Sequence, residues 1–324
     1  MGNHTVLVLS ADLADPDLKL LAQLPDECSL AVGNSVEAFE RLAEEATVIF
    51  SWSISGKLLR DVFAMCPKVQ WVHSRSAGLD TVLFPELVKS AVPLTNGRGV
   101  FSQWLGEFGL GAILYFAKDL RRMIANQEAG RWEPFDIVEI AGQTVGIVGY
   151  GDIGRAVAQR VRAMGMRVLA LKRHAAAAQG ADPLIERTFG PDERREMIAQ
   201  CDYIVVSAPL TAETLGMIGE AEFAVMKPTA VVINLGRGPV IDEAAMVRAL
   251  RGGRIKGAAL DVFDNEPLPE EHPFWGMKNV LLSPHCADHT PDWTAQAMRF
   301  FLAQFRRFVE GQPLENVVVK TLGY

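Results

Sequence analysis

Cysteine is scarce and scattered in this chain of 324 residues: Cys28, Cys66, Cys201 and Cys286 form no CxxC pair. That spacing supplies neither a zinc cluster nor a disulfide framework, so the four read as free thiols and no metal site is expected. Long apolar runs are missing as well. Stretches such as "TVGIVGYGDIG" and "TAVVINLG" are broken by Gly, Asn or charge far short of the roughly 18 residues of a membrane span. The N-terminal "MGNHTVLVLSADLAD" lacks a basic region followed by an apolar one, so a cytoplasmic protein without a secretory leader is expected. Positive charge is also in deficit. The formal net charge is -7 and no basic stripe is interleaved with aromatics, which argues against nucleic acid as a partner. An anionic ligand must therefore be held by cations placed locally.

Apolar residues are plentiful, 49% against 22% charged, which is enough for well-packed cores. The length favours two domains, and two domains imply a cleft. Over the first hundred residues, "TVLVLS", "CSLAVG", "TVIFSW", "VQWVHS" and "AVPLTN" read as strands separated by amphipathic stretches. That alternation predicts a parallel α/β layer structure. Ser102 to Asn126 has helical length, with Gly106, Gly109 and Gly111 at its centre. Each Gly costs about 1 kcal/mol against Ala in a helix interior, so three of them predict close packing against another helix or backbone. From Gly142 a second alternating set predicts six strands: 144–148, 167–171, 203–208, 230–234, 257–262 and 280–283. The whole reads as two Rossmann-like or flavodoxin-like parallel-sheet domains separated by a cleft.

"TVGIVGYGDIG" places Gly149, Gly151 and Gly154 as GxGxxG directly after a strand, with Asp152 and Ile153 opening a helix. The first Gly permits a tight turn, the second lets backbone approach a pyrophosphate, and the third packs helix on strand. A site specific for NAD usually carries Asp or Glu about 20 residues on, at the end of the second strand. Here that strand is followed by Lys172, Arg173 and His174. A 2′-phosphate would find two cations and a third titratable group, each charge-assisted hydrogen bond contributing roughly 1.5–3 kcal/mol. NADP(H) is the preferred cofactor on this reading, and NAD(H) stays possible. The alternative is that the three are solvated surface groups at a strand end.

Three further strand ends carry polar residues that a core does not need. "AVVINLGRG" presents Arg237, "GAALDVFDNEPLP" presents Asp261 and Glu266, and "VLLSPHCADHTP" presents His285. In open α/β sheets ligands bind beyond the carboxyl ends of the strands, so these residues should converge. Reduction of a 2-oxo acid by a nicotinamide needs a cation for the carboxylate, a proton donor for the carbonyl oxygen and a partner that orients the donor. Arg237 can grip a carboxylate with two parallel bonds. His285 can give that proton, because an imidazole can both hold and release one near neutral pH, and Glu266 can hold its other ring nitrogen. Taken singly, each has a plain structural alternative: a surface Arg, a turn Glu before Pro, a satisfied His after Pro.

With "APLTAETLGMI", "MKPTAVVINLGRGPVIDEAAMVRAL" and "LLSPH" in the same order, the chain from about Ser74 onward resembles the D-isomer-specific 2-hydroxyacid dehydrogenase family. The resemblance implies a substrate-binding domain of residues 1–100 plus 289–324, a dinucleotide-binding domain of residues 101–288, and a homodimer in which the helix from Ser102 takes part. It also implies Arg237, Glu266 and His285 as the catalytic set, and Ser76, Ala77 and Gly78 as the loop whose amides receive the substrate carboxylate. Pro209, Thr214, Leu235 and Asp261 fall where the cofactor is contacted. The Lys172 and Arg173 departure resembles NADPH-preferring glyoxylate and hydroxypyruvate reductases. "HCADHT" replaces the family's H-I-A-G-x-T and sets Cys286 and Asp288 beside the His. Trp52 could select small substrates, or serve as a core aromatic; His289 and Trp293 could line the cleft or begin a returning helix. Rival readings are a phosphoglycerate, formate or phosphite dehydrogenase on the same scaffold, or a nicotinamide-sensing corepressor. The formate enzymes lack the acid at Glu266.

Overall fold

The apolar runs of the first hundred residues become β1 (Thr5–Ser10), β2 (Ser29–Gly33), β3 (Val48–Ser53), β4 (Trp71–Ser74) and β5 (Leu94–Asn96). In this computed structural model the described residues are 4–53, 56–175, 180 and 182–324; the first three residues of the N-terminal stretch read above lie outside them. The strands form one sheet in the order β2-β1-β3-β4-β5, with every pairing parallel. All six residues of β1 are buried, as a parallel sheet covered on both faces requires. The C-terminal helix Trp293–Val309 belongs to this unit: Met298, Phe301, Leu302 and Phe305 recur at helical spacing and are buried. Phe301 stacks on Phe50 with ring centroids 4.0 Å apart. The chain divides into two compact units, Met1–Phe101 with Thr290–Tyr324, and Ser102–His289.

The second unit holds β6 (Thr144–Val148), β7 (Arg167–Leu171), β8 (Arg187–Phe189), β9 (Tyr203–Val206), β10 (Val231–Asn234), β11 (Gly257–Leu260) and β12 (Val280–Leu282). Their order is β12-β11-β10-β9-β6-β7-β8, again parallel throughout. The strand β8 was not anticipated. It has three residues, too few for a period to register, and among the described residues it pairs only with β7. Because β6 lies between β7 and β9, the chain leaves it in opposite directions along the sheet, the topological switch point where such folds bind ligands.

The single long helix expected from Ser102 is two helices, Ser102–Ala117 and Leu120–Glu128. The interruption has a local cause: the Ala117 carbonyl accepts the Val138 N–H at 2.8 Å, and Asp119 adopts φ 49°, a conformation Asp tolerates better than most residues. Two of the three central glycines pack as anticipated. A Cβ on Gly106 would meet the Ala156 backbone at 2.9 Å and one on Gly109 would meet Val157 at 3.1 Å, whereas one on Gly111 would meet nothing within 4 Å. Among the described residues no helix is long and apolar enough to cross a membrane.

Candidate active site

The glycine turn leaves β6 and opens the helix Asp152–Ala163. Gly149 has φ +87°, and a Cβ there would strike the Ala208 backbone at 2.5 Å; one on Gly154 would strike Ile147 at 2.8 Å. These two are required by the turn and by helix-on-strand packing. Gly151 differs, because a Cβ there would meet nothing within 4 Å. The N-cap residue of the helix, Gly151, supplies no side-chain cap, and the helix begins at Asp152 and the half-buried Ile153. A bare backbone at a helix N-terminus suits a pyrophosphate, since the amides and the helix dipole both favour negative charge. These residues therefore fit a dinucleotide.

At the end of β7, Lys172 and Arg173 are half-buried and His174 is exposed. The Lys172 ammonium lies 5.3 Å from the centroid of the Tyr150 ring, and the Tyr150 hydroxyl donates to Asp182 at 2.9 Å. The Arg173 guanidinium donates to the Glu213 carboxylate. Glu213 stands in the loop after β9, where the Thr214 hydroxyl donates to the Pro209 carbonyl at 2.6 Å. Leu235 is 4% exposed, and its Cδ1 would lie 3.5 Å from a Cβ on Gly109.

On the other side of the switch point, the loops after β10, β11 and β12 lock together. A Cβ on Gly238 would sit 2.0 Å from the Phe263 backbone, so the Arg237 loop can lie against the Asp261–Glu266 loop only because residue 238 has no side chain. Asn234, 1% exposed, donates to the Arg237 carbonyl at 3.0 Å and accepts from Gly236 N at 3.1 Å. Asp261, 2% exposed, accepts at one oxygen from Ser283 Oγ at 2.6 Å, Cys286 N at 2.9 Å and Ala287 N at 3.0 Å. Its carbonyl takes the His285 N–H at 2.9 Å, and His285 adopts φ 50°. This buried carboxylate thus shapes the loop that presents His285. His285 Nδ1 lies 2.6 Å from Glu266 Oε2, while Glu266 Oε1 accepts the Phe263 N–H at 2.9 Å. Burial pushes the neighbouring Asp288 carboxyl above its ordinary pKa. Cys286 is partly buried beside Ser283.

The first unit carries the other anticipated residues. The Ser76 carbonyl accepts from Gly97 N at 3.3 Å and the Ala77 carbonyl from Asn96 Nδ2 at 2.7 Å. Among the described hydrogen bonds none is donated by the amides of Ser76, Ala77 or Gly78, so the loop's carbonyls are anchored. Trp52 is 1% exposed; its indole N–H donates to Asp15 at 2.7 Å and the Arg75 guanidinium lies 4.7 Å from its ring centroid. Arg75 also lies 5.0 Å from Trp293. Trp52 therefore acts as a platform for Arg75. Sequence reasoning missed Ser283, Glu213 and Arg75. Each acts through a partner distant in the chain, and no local spacing signals that.

Residues 110–287 match the family model for the NAD binding domain of D-isomer specific 2-hydroxyacid dehydrogenases. A glyoxylate reductase from Thermococcus gammatolerans is 35% identical over 73% of this chain and 72% of its own length. Among solved structures, an NADPH-dependent glyoxylate/hydroxypyruvate reductase from Sinorhizobium meliloti, in complex with NADP and sulfate, superposes with TM-score 0.86 at 29% identity, over 99% of this chain and 100% of that one. A D-isomer specific 2-hydroxyacid dehydrogenase from Xanthobacter autotrophicus, in complex with NADPH and MES, gives TM-score 0.85 at 30% identity over the full length of both chains. The chain is a member of the D-isomer specific 2-hydroxyacid dehydrogenase family, an oxidoreductase with a nicotinamide-dinucleotide-binding domain.

Proposed function

We propose that the protein reduces a small 2-oxo acid, glyoxylate or hydroxypyruvate, to the D-2-hydroxy acid with NADPH as the preferred cofactor. The observation that carries this reading is the His285–Glu266 pair at 2.6 Å, held on a loop built around Asp261 and lying beyond the same sheet edge as the glycine turn. Gly149, Gly151 and Gly154 with Asp152 and Ile153 would hold the pyrophosphate, and Lys172 and Arg173 the 2′-phosphate. When bound, the nicotinamide supplies the hydride for the carbonyl carbon. Arg237 binds the substrate carboxylate and orients the carbonyl. His285 donates the proton to the carbonyl oxygen from Nε2, since Nδ1 is engaged by Glu266. Glu266 fixes the ring and stabilises the imidazolium before transfer. Ser76 to Gly78 would add backbone donors to the substrate carboxylate, and the molecule would act as a homodimer in the cytoplasm. The relatives named for glyoxylate and hydroxypyruvate, and the neighbouring structures holding NADP or NADPH, support the choice of substrate and cofactor.

His285→Ala should lower kcat by about 10²-fold or more, the usual contribution of a positioned acid, with NADPH affinity changed less than about twofold. Consumption of NADPH and NADH measured with glyoxylate, hydroxypyruvate, pyruvate and a phenyl-substituted 2-oxo acid tests substrate and cofactor together. Full turnover in the variant, or none in wild type with any of the four acids, would sink the proposal.

A further inference from the structure

We infer that Glu213 sets how strongly the site discriminates between the two nicotinamide cofactors, by holding the guanidinium that a 2′-phosphate requires. The inference rests on the NADPH reading above and concerns a residue that this reading leaves without a role. β6 lies between β7 and β9 in the sheet. Arg173 follows the carboxyl end of β7, and Glu213 lies in the loop after β9. Their ion pair therefore joins the two loops that flank β6, whose own carboxyl end carries the glycine turn. A dinucleotide seated on that turn extends its adenosine end toward the tip of β7, the position that reads the ribose in such folds. It meets this pair.

The two members are unequally held. Arg173 has a side chain 26% exposed, whereas that of Glu213 is 69% exposed. The Glu213 backbone is fixed nonetheless, because the Thr214 hydroxyl bonds the Pro209 carbonyl at 2.6 Å and receives the Thr211 N–H at 2.8 Å. The carboxylate can thus swing away from a guanidinium that stays in place. With NADH bound, the ribose hydroxyl leaves the pair intact. With NADPH bound, a phosphate of nearly two negative charges must displace Glu213 from Arg173 or lie beside it, and like charges at that distance repel. Lys172 has no carboxylate ion pair among the described residues, and its ammonium rests over the Tyr150 ring. Glu213 accordingly lowers NADPH affinity, leaves NADH affinity nearly unchanged, and narrows the preference that the basic strand end creates.

The experiment is direct binding of NADPH and NADH to the purified full-length protein, by calorimetry or quenching of tryptophan fluorescence, for wild type, Glu213→Gln, Arg173→Ala and the double variant. Glu213→Gln should tighten NADPH by about three- to tenfold and move NADH by less than twofold, and the gain should vanish in the Arg173→Ala background. No tightening, equal tightening of both cofactors, or a gain that persists without Arg173 overturns the inference. Its failure is separable from that of the cofactor reading. If Arg173→Ala weakens NADPH selectively while Glu213→Gln does nothing, only the role of Glu213 is lost. If wild type prefers NADH and Arg173→Ala affects both cofactors alike, the NADPH reading falls and this inference with it.

Discussion

At the scale of single residues, the most exacting environment lies away from the proposed catalytic set. His73 is 1% exposed on β4, among Phe50, Trp71, Phe300 and Phe301. Its Nδ1 meets the Thr95 hydroxyl at 2.7 Å, which also receives the Trp71 indole N–H at 2.8 Å, and its Nε2 has no partner among the described residues. Burial pulls its pKa from 6.5 down to about 3. The folded protein thus keeps His73 neutral, while the unfolded chain takes up a proton near pH 6.5. Its contribution is complete above that pH and is lost as pH falls from 6.5 towards 3, at about 1.4 kcal/mol per unit. Between pH 6.5 and 5 wild type should lose roughly 2 kcal/mol that His73→Gln does not lose. Urea denaturation of both proteins at the two pH values tests this, and parallel pH slopes would refute it. The placement of Arg237, Glu266 and His285 beyond successive strand ends was legible in the sequence because each follows an apolar run read as a parallel strand. Ser283 was not, since what it does depends on Asp261, 22 positions away.

At the scale of elements, sequence period located most strands to within a residue or two, because each parallel strand is apolar on both faces and bounded by Gly, Pro or charge. It could not foresee β8, nor the break after Ala117, which is imposed by Val138 returning from twenty-one positions downstream to take the carbonyl. The glycines of Ser102–Ala117 show the same division. Composition signalled close packing, but only the structure separates Gly106, against the Ala156 backbone, from Gly111, which faces open space. The two should respond oppositely to the same substitution. Gly106→Ala forces the two helices apart and should destabilise by about 1–3 kcal/mol. Gly111→Ala gains helix propensity at no steric cost and should stabilise by about 0.5–1 kcal/mol. Thermal unfolding of the two variants decides it; equal shifts in Tm would contradict the packing described.

At the scale of the whole molecule, the family match spans residues 110–287, while the first seventy residues were legible only as an alternation of strands and helices. Fold class survives such divergence because burial pattern alone specifies it. Association is harder to read, and here the surface of the second unit is informative. Ile124 is 53% exposed, Met123 41%, Ile137 52% and Trp132 98%. They share the helix Leu120–Glu128 and the segment folded back on it, which is tied down by Lys118 Nζ to the Val138 carbonyl at 2.8 Å and by the Arg122–Glu133 pair. Several exposed apolar side chains close in sequence on an anchored element are a candidate association surface. A second copy of the chain is the partner proposed above. Sedimentation should accordingly give a mass twice 35.4 kDa at micromolar concentration. Ile124→Glu would bury a carboxylate without a partner in that interface, and should weaken the dimer by about 10²-fold or more, in line with several kcal/mol for an unpaired buried charge. A monomeric wild type, or an Ile124→Glu variant that dimerises as well as wild type, would place the interface elsewhere or remove it.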